Sequence, residues 1–361
     1  MHDPTDPVAH GLEKALVAPS LPISEGLRRL DEFGRKIIFI ADAERRLLGV
    51  VTDGDVRRWI IAGNELERPV SEAMNATPAV LVEGFAQEDA RDLFATHDID
   101  CIPVLDAEHR VVSAVWWVDM IDAKTAEVTT LGVPLVVMAG GQGSRLAPYT
   151  NVLPKPLLPI GEVPIVELII DRFVEHGCTD VYLTVSYKAS LIKAYFKDMS
   201  RDYDVHFVDE PEPLGTAGGL SLLKGTMEST FFVTNCDVLI DADYGDVLKL
   251  HRESGNRITV VGSLKRFTIP YGVCEMAAGG RLVGISEKPS YDYLVSTGMY
   301  LMEPEVLDDI PEGRVFHATD LIDDYMRRGI RVGVYPISEK SWLDMGQFEQ
   351  LSAMRSRLAL E

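Results

Sequence analysis

One stretch, residues 135–160 (LVVMAGGQGSRLAPYTNVLPKPLLPI), limits the folds open to this chain. Leu135 to Met138 is an apolar run, rich in β-branched residues and too short for a helix, so it predicts a buried strand. The run passes directly into Gly140, Gly141 and Gly143, where a backbone without Cβ atoms can turn sharply and bring N–H groups against a ligand. Ser144 and Arg145 follow, and after a short loop Lys155 stands between Pro154 and Pro156. A strand, a glycine loop, one arginine and one braced lysine together describe a polyphosphate site. A P-loop is excluded, because Gly143-Ser144-Arg145 does not supply the closing Gly-Lys-Ser/Thr. A dinucleotide fingerprint is excluded because Leu146 stands where its third glycine would be.

Downstream, strands and helices alternate. Val163 to His176 has helical spacing with Gly177 as its stop, and Ser190 to Phe196 predicts a second helix. Asp180 to Val185, Val205 to Val208, Thr230 to Thr234 and Ile258 to Val261 predict strands, and Phe348 to Leu360 a closing amphipathic helix. This alternation predicts an α/β sheet with helices on its faces. Ligands then sit at the carboxyl ends of the strands, where the glycine loop lies.

Ahead of this region the chain repeats itself. Residues 36–55 (KIIFIADAERRLLGVVTDGD) align with 100–119 (DCIPVLDAEHRVVSAVWWVD) at a constant offset of 64, matching Asp42 with Asp106, Arg46 with Arg110 and Asp55 with Asp119. Each copy reads strand, polar turn, strand, helix start, and such a unit buries one core against its copy. A length of 361 residues suggests two domains, and the polar segment Lys124 to Val133 reads as their connection. The net charge of −21 argues against nucleic acid or an anionic membrane as partner, and any phosphate site must gather its cations locally. No basic region precedes an apolar core in MHDPTDPVAH, and no apolar run approaches a membrane span. Cys101, Cys178, Cys236 and Cys274 lack paired spacing, so the expectation is a cytoplasmic protein with four buried thiols.

The loop Gly140-Gly141-Gln142-Gly143-Ser144-Arg145-Leu146, followed by Pro154-Lys155-Pro156, resembles the signature of the sugar-1-phosphate nucleotidyltransferases. The resemblance implies a Rossmann-like, GT-A-type catalytic domain with a mixed sheet over residues 134–361. It implies that Ala139, Gly140, Gly141, Gly143 and Ser144 bind the nucleotide, and that Arg145 and Lys155 are the catalytic cations. Leu214-Gly215-Thr216-Ala217-Gly218 resembles the turn that cradles base and ribose, which gives Gly215 and Thr216 to the nucleotide. By the same resemblance Glu210 faces the edge of the base. A carboxylate only accepts hydrogen bonds. Guanine offers two adjacent donors and adenine a bare acceptor, so Glu210 favours GTP. Outside the resemblance Glu210 is one acid in an acid-rich loop. Asp237, after Asn235-Cys236, and Asp344, in Trp342-Leu343-Asp344-Met345-Gly346, resemble the family's two metal carboxylates and imply Mg2+. Gly272, Glu287 and Lys288 match the sugar-phosphate side. Ser296 stands in a segment that reads Asn-Ala-Gly in relatives, and Phe316 to Asp320 also departs from the commoner pattern.

Gly49-Val50-Val51-Thr52-Asp53-Gly54-Asp55-Val56-Arg57 resembles the end of a cystathionine-β-synthase (CBS) motif, and the second copy is a weaker example. This implies an α/β tandem CBS module over residues 1–128, a linker at 129–133, an adenine nucleotide ligand at Thr52, Asp55 and Asp119, and a homo-oligomer. Asp55 at a helix start also fits a helix cap. Trp116 and Trp117 stand where Thr52 and Asp53 stand, and would fill a cleft as readily as stack on a base.

Together the resemblances imply transfer of a nucleotidyl group from an NTP to a sugar 1-phosphate, with release of pyrophosphate. The tandem order resembles the guanylyltransferases of bacterial legionaminic acid pathways, which act on glucosamine 1-phosphate. Mannose or glucose 1-phosphate with GTP or another NTP is the alternative within the class. A catalytically inactive nucleotide-sensing protein is the alternative outside it, and Arg145, Lys155, Asp237, Lys288 and Asp344 speak against that.

Overall fold

The computed structural model describes residues 9–97, 99–117, 130–197 and 201–345. Two compact units divide the chain, Met1–Glu127 and Val128–Glu361. Among the described residues no helix is long and apolar enough to cross a membrane.

In the first unit, β1 (Leu16–Val17), β2 (Ile37–Ala41) and β3 (Leu47–Thr52) form one sheet, and β4 (Leu81–Val82), β5 (Cys101–Leu105) and β6 (Val111–Trp116) another. The repeat holds at the level of register. Val17 lies opposite Ile40 and Leu81 opposite Val104, each pair in parallel strands. Both hairpins are irregular at the equivalent step, Ile40/Ala41 and Val104/Leu105. In each turn an aspartate, Asp42 or Asp106, accepts the N–H two residues on at 3.0 Å and four residues on at 2.8 Å. The two copies meet at equivalent residues: Arg46 bridges Arg110, the Leu47 N–H donates to His109 O, and the Val111 N–H donates to Arg45 O. Ile37, Phe39 and Val50 share one core with Cys101, Leu105, Ala114 and Trp116, so each half covers the apolar face of the other. Helices α1 (Ala9–Ala15), α2 (Ile23–Phe33), α3 (Asp53–Ile61) and α4 (Gln87–Thr96) and a 3₁₀ turn at Val70–Glu72 complete this unit's described elements.

The second unit is built on β7 (Leu135–Met138), β10 (Asp180–Val185), β11 (Asp204–Asp209), β12 (Phe231–Asn235), β14 (Ile258–Thr268), β17 (Ser290–Met302) and β18 (Val332–Ile337), in the spatial order β11-β10-β7-β12-β17-β14-β18. Only β17 runs antiparallel to its neighbours, so the sheet is mixed. Side chains alternate between its faces. Leu135 and Val137 join the core beneath α5 (Ile165–Val174) and α6 (Ala189–Lys197), together with Val247 of α8 (Tyr244–Ser254). Val136 joins the opposite core with Ala217 of α7 (Gly215–Gly218) and Leu321 of α9 (Ala318–Arg327). The chain leaves β7 for β10 on one side and later returns to pair β12 on the other. The gap between β7 and β12 is therefore the switch point at which α/β sheets bind ligands. Small ladders join β8 (Pro159–Ile160) to β9 (Val163–Pro164), β13 (Val238–Ile240) to β19 (Trp342–Asp344), and β15 (Val273–Met276) to β16 (Leu282–Ser286).

Several boundaries differ from the sequence expectation. The helix expected from Val163 begins at Ile165, because Val163 and Pro164 pair with β8. β14 runs on to Thr268, since its charged second half pairs with Ser290–Leu294 of β17. Cys274 is exposed and not buried, because the β15–β16 hairpin leaves that face open, with Met276 and Ile285 bare beside it. Leu131 bonds His176 and Val133 is buried in the core of the second unit, although both fall in the segment read as a connection. The expected closing helix, Asp119 and Gly346 lie outside the described residues.

Candidate active site

The glycine loop leaves β7 at the switch point. Ala139 donates its N–H to Thr184 O of β10 at 2.9 Å, which anchors the loop's first residue. Gly143 adopts φ +64° and caps a 3₁₀ turn over Ser144–Leu146. A Cβ there would lie 2.9 Å from Lys155 Cβ and 3.0 Å from Thr150 Cγ2, so both the conformation and the space require glycine. Gly140 is excluded from larger residues by a different neighbour: its Cβ would stand 2.7 Å from Glu210 Oε1. Gly141 has open space around it. Ser144 and Arg145 are exposed, and Arg145 makes no ion pair among the described residues.

Lys155 begins a 3₁₀ turn, Lys155–Leu157, whose flanking prolines hold its backbone. Its stem lies beneath Gly143 and its ammonium pairs with the Asp237 carboxylate. Asp237 follows β12, whose Asn235 sits opposite Met138 of β7, so the carboxylate emerges beside the glycine loop. The Met345 N–H donates to Asp237 O at 2.9 Å, and Val238 lies opposite Asp344 in the β13–β19 ladder. The fold thus brings the backbones of the two residues expected to hold metal next to each other. Among the described residues no group of three or more His, Cys, Asp and Glu that could hold a metal ion gathers. Burial pushes the Cys236 thiol up to about 12, so it stays protonated beside Asp237 and packs as a small apolar residue.

Glu210 is 8% exposed and is not a solvated loop acid. Its Oε2 accepts the Leu214 N–H at 3.1 Å, and Oε1 lies 2.6 Å from where a Cβ would stand on Gly219. The carboxylate is thus wedged between the glycine loop and the 215–219 turn. That turn is held by residues whose role the sequence did not reveal. Ala217 and Gly218 donate to Phe316 O, and the Ala318 N–H donates to Thr216 Oγ1 at 3.1 Å. His317 N-caps α9, with its own N–H on Asp320 Oδ2. The His-x-x-Asp spacing was the available signal.

Among the residues expected toward the sugar, a Cβ on Gly272 would be 3.1 Å from Glu287 Oε2, so these two meet. Lys288 is exposed and makes no ion pair among the described residues. Ser296 is exposed, with its Oγ 3.4 Å from the Tyr300 hydroxyl. A cavity of ≈ 440 Å³ also opens beside edge strand β11, but two of its cations, Lys193 and Arg201, are engaged by Asp209 and Glu167. The chemistry points to the strand ends and not to that cavity.

In the first unit, Thr52 and Asp55 form a capping box. Asp55 Oδ2 accepts from the Thr52 N–H and Oγ1, Thr52 Oγ1 accepts the Asp55 N–H, and Asp55 Oδ1 accepts from Arg58. Thr52 is the cap residue, and Asp55 is its partner one turn in. Trp116 is buried against Phe33, with Arg35 over its ring, whereas Trp117 is 39% exposed and contacts Phe94.

The nucleotidyl transferase family profile matches residues 135–359. The chain is 31% identical over 249 residues to a UTP–glucose-1-phosphate uridylyltransferase of Synechocystis, covering 63% of each chain. It is 36% identical over 194 residues to a mannose-1-phosphate guanylyltransferase of Mycobacterium tuberculosis, covering 52% of this chain and 53% of that one. The chain therefore spans between about half and two thirds of the length of these relatives. The fold is similar to that of a candidate glucose-1-phosphate thymidylyltransferase from Bacillus anthracis crystallised with sucrose, at a TM-score of 0.50 and 21% identity over 62% of this chain and 94% of that one.

Proposed function

The chain belongs to the nucleotidyl transferase family, and from that premise we propose that it joins GTP to glucosamine 1-phosphate, releasing pyrophosphate, with Mg2+ as cofactor. The observation that carries this reading is the meeting of the glycine loop, Lys155 and Asp237 at the carboxyl ends of β7 and β12. A sugar-phosphate oxygen attacks the α-phosphorus, the bond to the β-phosphate breaks, and pyrophosphate leaves with that electron pair. The nucleophile is already ionised, so the work is alignment and charge stabilisation. Arg145 takes the leaving phosphates, and Lys155 lies between the α-phosphate and the incoming phosphate. Glu287 and Lys288 face the sugar's polar groups and its 1-phosphate. Asp237 and Asp344 supply hard oxygen donors, and the ammonium on Asp237 is a cation already lodged there, so the donor set fits Mg2+. Bound there, the ion would neutralise phosphate charge.

GTP is favoured by Glu210 as an acceptor and by the guanylyltransferase relative. A second reading, UTP with glucose 1-phosphate, is favoured by the Synechocystis relative. Pyrophosphate release with four NTPs crossed with glucosamine, mannose and glucose 1-phosphates separates them. GTP with glucosamine 1-phosphate is expected to turn over fastest; preference for UTP or another sugar would replace that substrate pair, and no turnover in folded protein would favour the regulatory alternative. For the first unit the proposal is an adenine nucleotide beside Thr52 and Asp55. Titration calorimetry of the full chain with AMP and ATP should give saturable heat, and its absence would remove the ligand.

A further inference from the structure

We propose that Lys155 guards Asp237. In the substrate-free protein its ammonium fills the cation position on that carboxylate, and a divalent ion enters as a phosphate draws the lysine away. The inference rests on the reading of Asp237 as a metal carboxylate.

Three features support it. Both side chains are nearly buried, Lys155 at 13% and Asp237 at 11% exposure, so neither charge can be left alone without a large penalty. The lysine is placed at both ends, its backbone by two prolines and its stem by Gly143, so the pair is built into the loop. The other two cations expected at phosphates, Arg145 and Lys288, are exposed and make no ion pair among the described residues. Only the lysine beside the metal carboxylate is held back. An ammonium and a divalent ion on one carboxylate repel each other, so each weakens the other's hold, and an ammonium that gives way needs a new anion. A substrate phosphate supplies it. Phosphate and metal then favour each other's binding, and by linkage the effect is reciprocal.

The test measures Mn2+ binding without nucleotide, by electron paramagnetic resonance of the free ion. Lys155→Met removes the competing charge and is expected to bind Mn2+ about 5–150-fold more tightly than the native protein. Lys155→Arg keeps a cation and should stay near native affinity. Asp237→Asn should lose the tight site in either background. Native affinity in Lys155→Met, with the site still lost in Asp237→Asn, overturns the guarding role and leaves the metal assignment standing. An unchanged site in Asp237→Asn overturns the metal assignment itself. Should Lys155→Met fail to fold, Lys155→Gln replaces it, and acetylation of native Lys155 followed by peptide mass spectrometry gives a second reading. Acetylation should speed up at least severalfold as Mn2+ saturates, and an unchanged rate would refute displacement.

Discussion

Gly143→Ala should damage the second unit while Gly141→Ala leaves it intact. The left-handed conformation at Gly143 costs a residue with a Cβ about 1–2 kcal/mol. The added carbon would also press on Lys155 Cβ and Thr150 Cγ2, atoms near their backbones that cannot swing aside, and such overpacking typically adds about 1–3 kcal/mol. Alanine restricts the unfolded chain and returns roughly 0.4–1 kcal/mol. The net expectation is a loss of about 1–4.6 kcal/mol, which for a domain of this size is roughly 2–18 °C in unfolding temperature. Calorimetry of the full chain should place that shift in one transition only. Gly141 has an ordinary backbone and no atom within 4 Å of an added Cβ, so its alanine variant should unfold at or slightly above the native temperature. Turnover should separate the two variants further. Displacing the Lys155 stem by even an ångström misaligns its ammonium, which can cost on the order of 100-fold in rate. Equal stability and equal turnover for the two variants would refute the claim that Gly143 seats the lysine.

Lys155→Ala and Asp237→Ala should each lower the rate of pyrophosphate release by about 10²–10³ or more with circular dichroism unchanged. In the first unit, Trp116→Ala should cost about 3–5 kcal/mol by chemical denaturation, as a large side chain leaves a shared core. Thr52→Ala should cost only about 0.5–2 kcal/mol, the worth of a cap. Burial lowers the pKa of His251, which bonds Thr259 and Glu303 inside the second unit. The folded state therefore keeps the ring neutral while the unfolded chain takes up a proton below its ordinary value of 6.5. Stability from this group is present above that pH and falls as pH drops toward the folded value; His251→Asn should show a shallower decline over that range, measured by urea denaturation.

Local chemistry was legible and distant pairing was not. The β7 strand and its glycines could be read because their signal lies within a dozen residues, and the repeat because its two copies share an offset. The offset aligned Arg46 with Arg110 but did not pair them; in the structure they form a bridge, since equivalent residues meet where a duplicated unit packs on itself. The pairing of Lys155 with Asp237 joins residues 82 apart, and neither residue type nor spacing announces it. The burial of Glu210 depends on two glycines from different segments making room for it. The expected strand Ile258 to Val261 stops short of the second half of β14, where Lys265 and Arg266 break the apolar run and only the facing β17 residues make a strand. Cys274 was misread for the related reason that a two-stranded hairpin has no layer to cover it.

The β13–β19 ladder also sets an order in time. Its strands come from segments more than a hundred residues apart, so Asp237 is synthesised long before the strand that carries Asp344. Closing so long a loop is late and slow compared with docking β7, β10 and β12. On the ribosome, the phosphate loop can therefore fold while the second acid is still unmade. A nascent chain arrested before residue 342 should hold nucleotide without transferring it, and full turnover by such a chain would show that the second acid is dispensable. On the proposed reading, translation itself would then decide the moment at which this site can act.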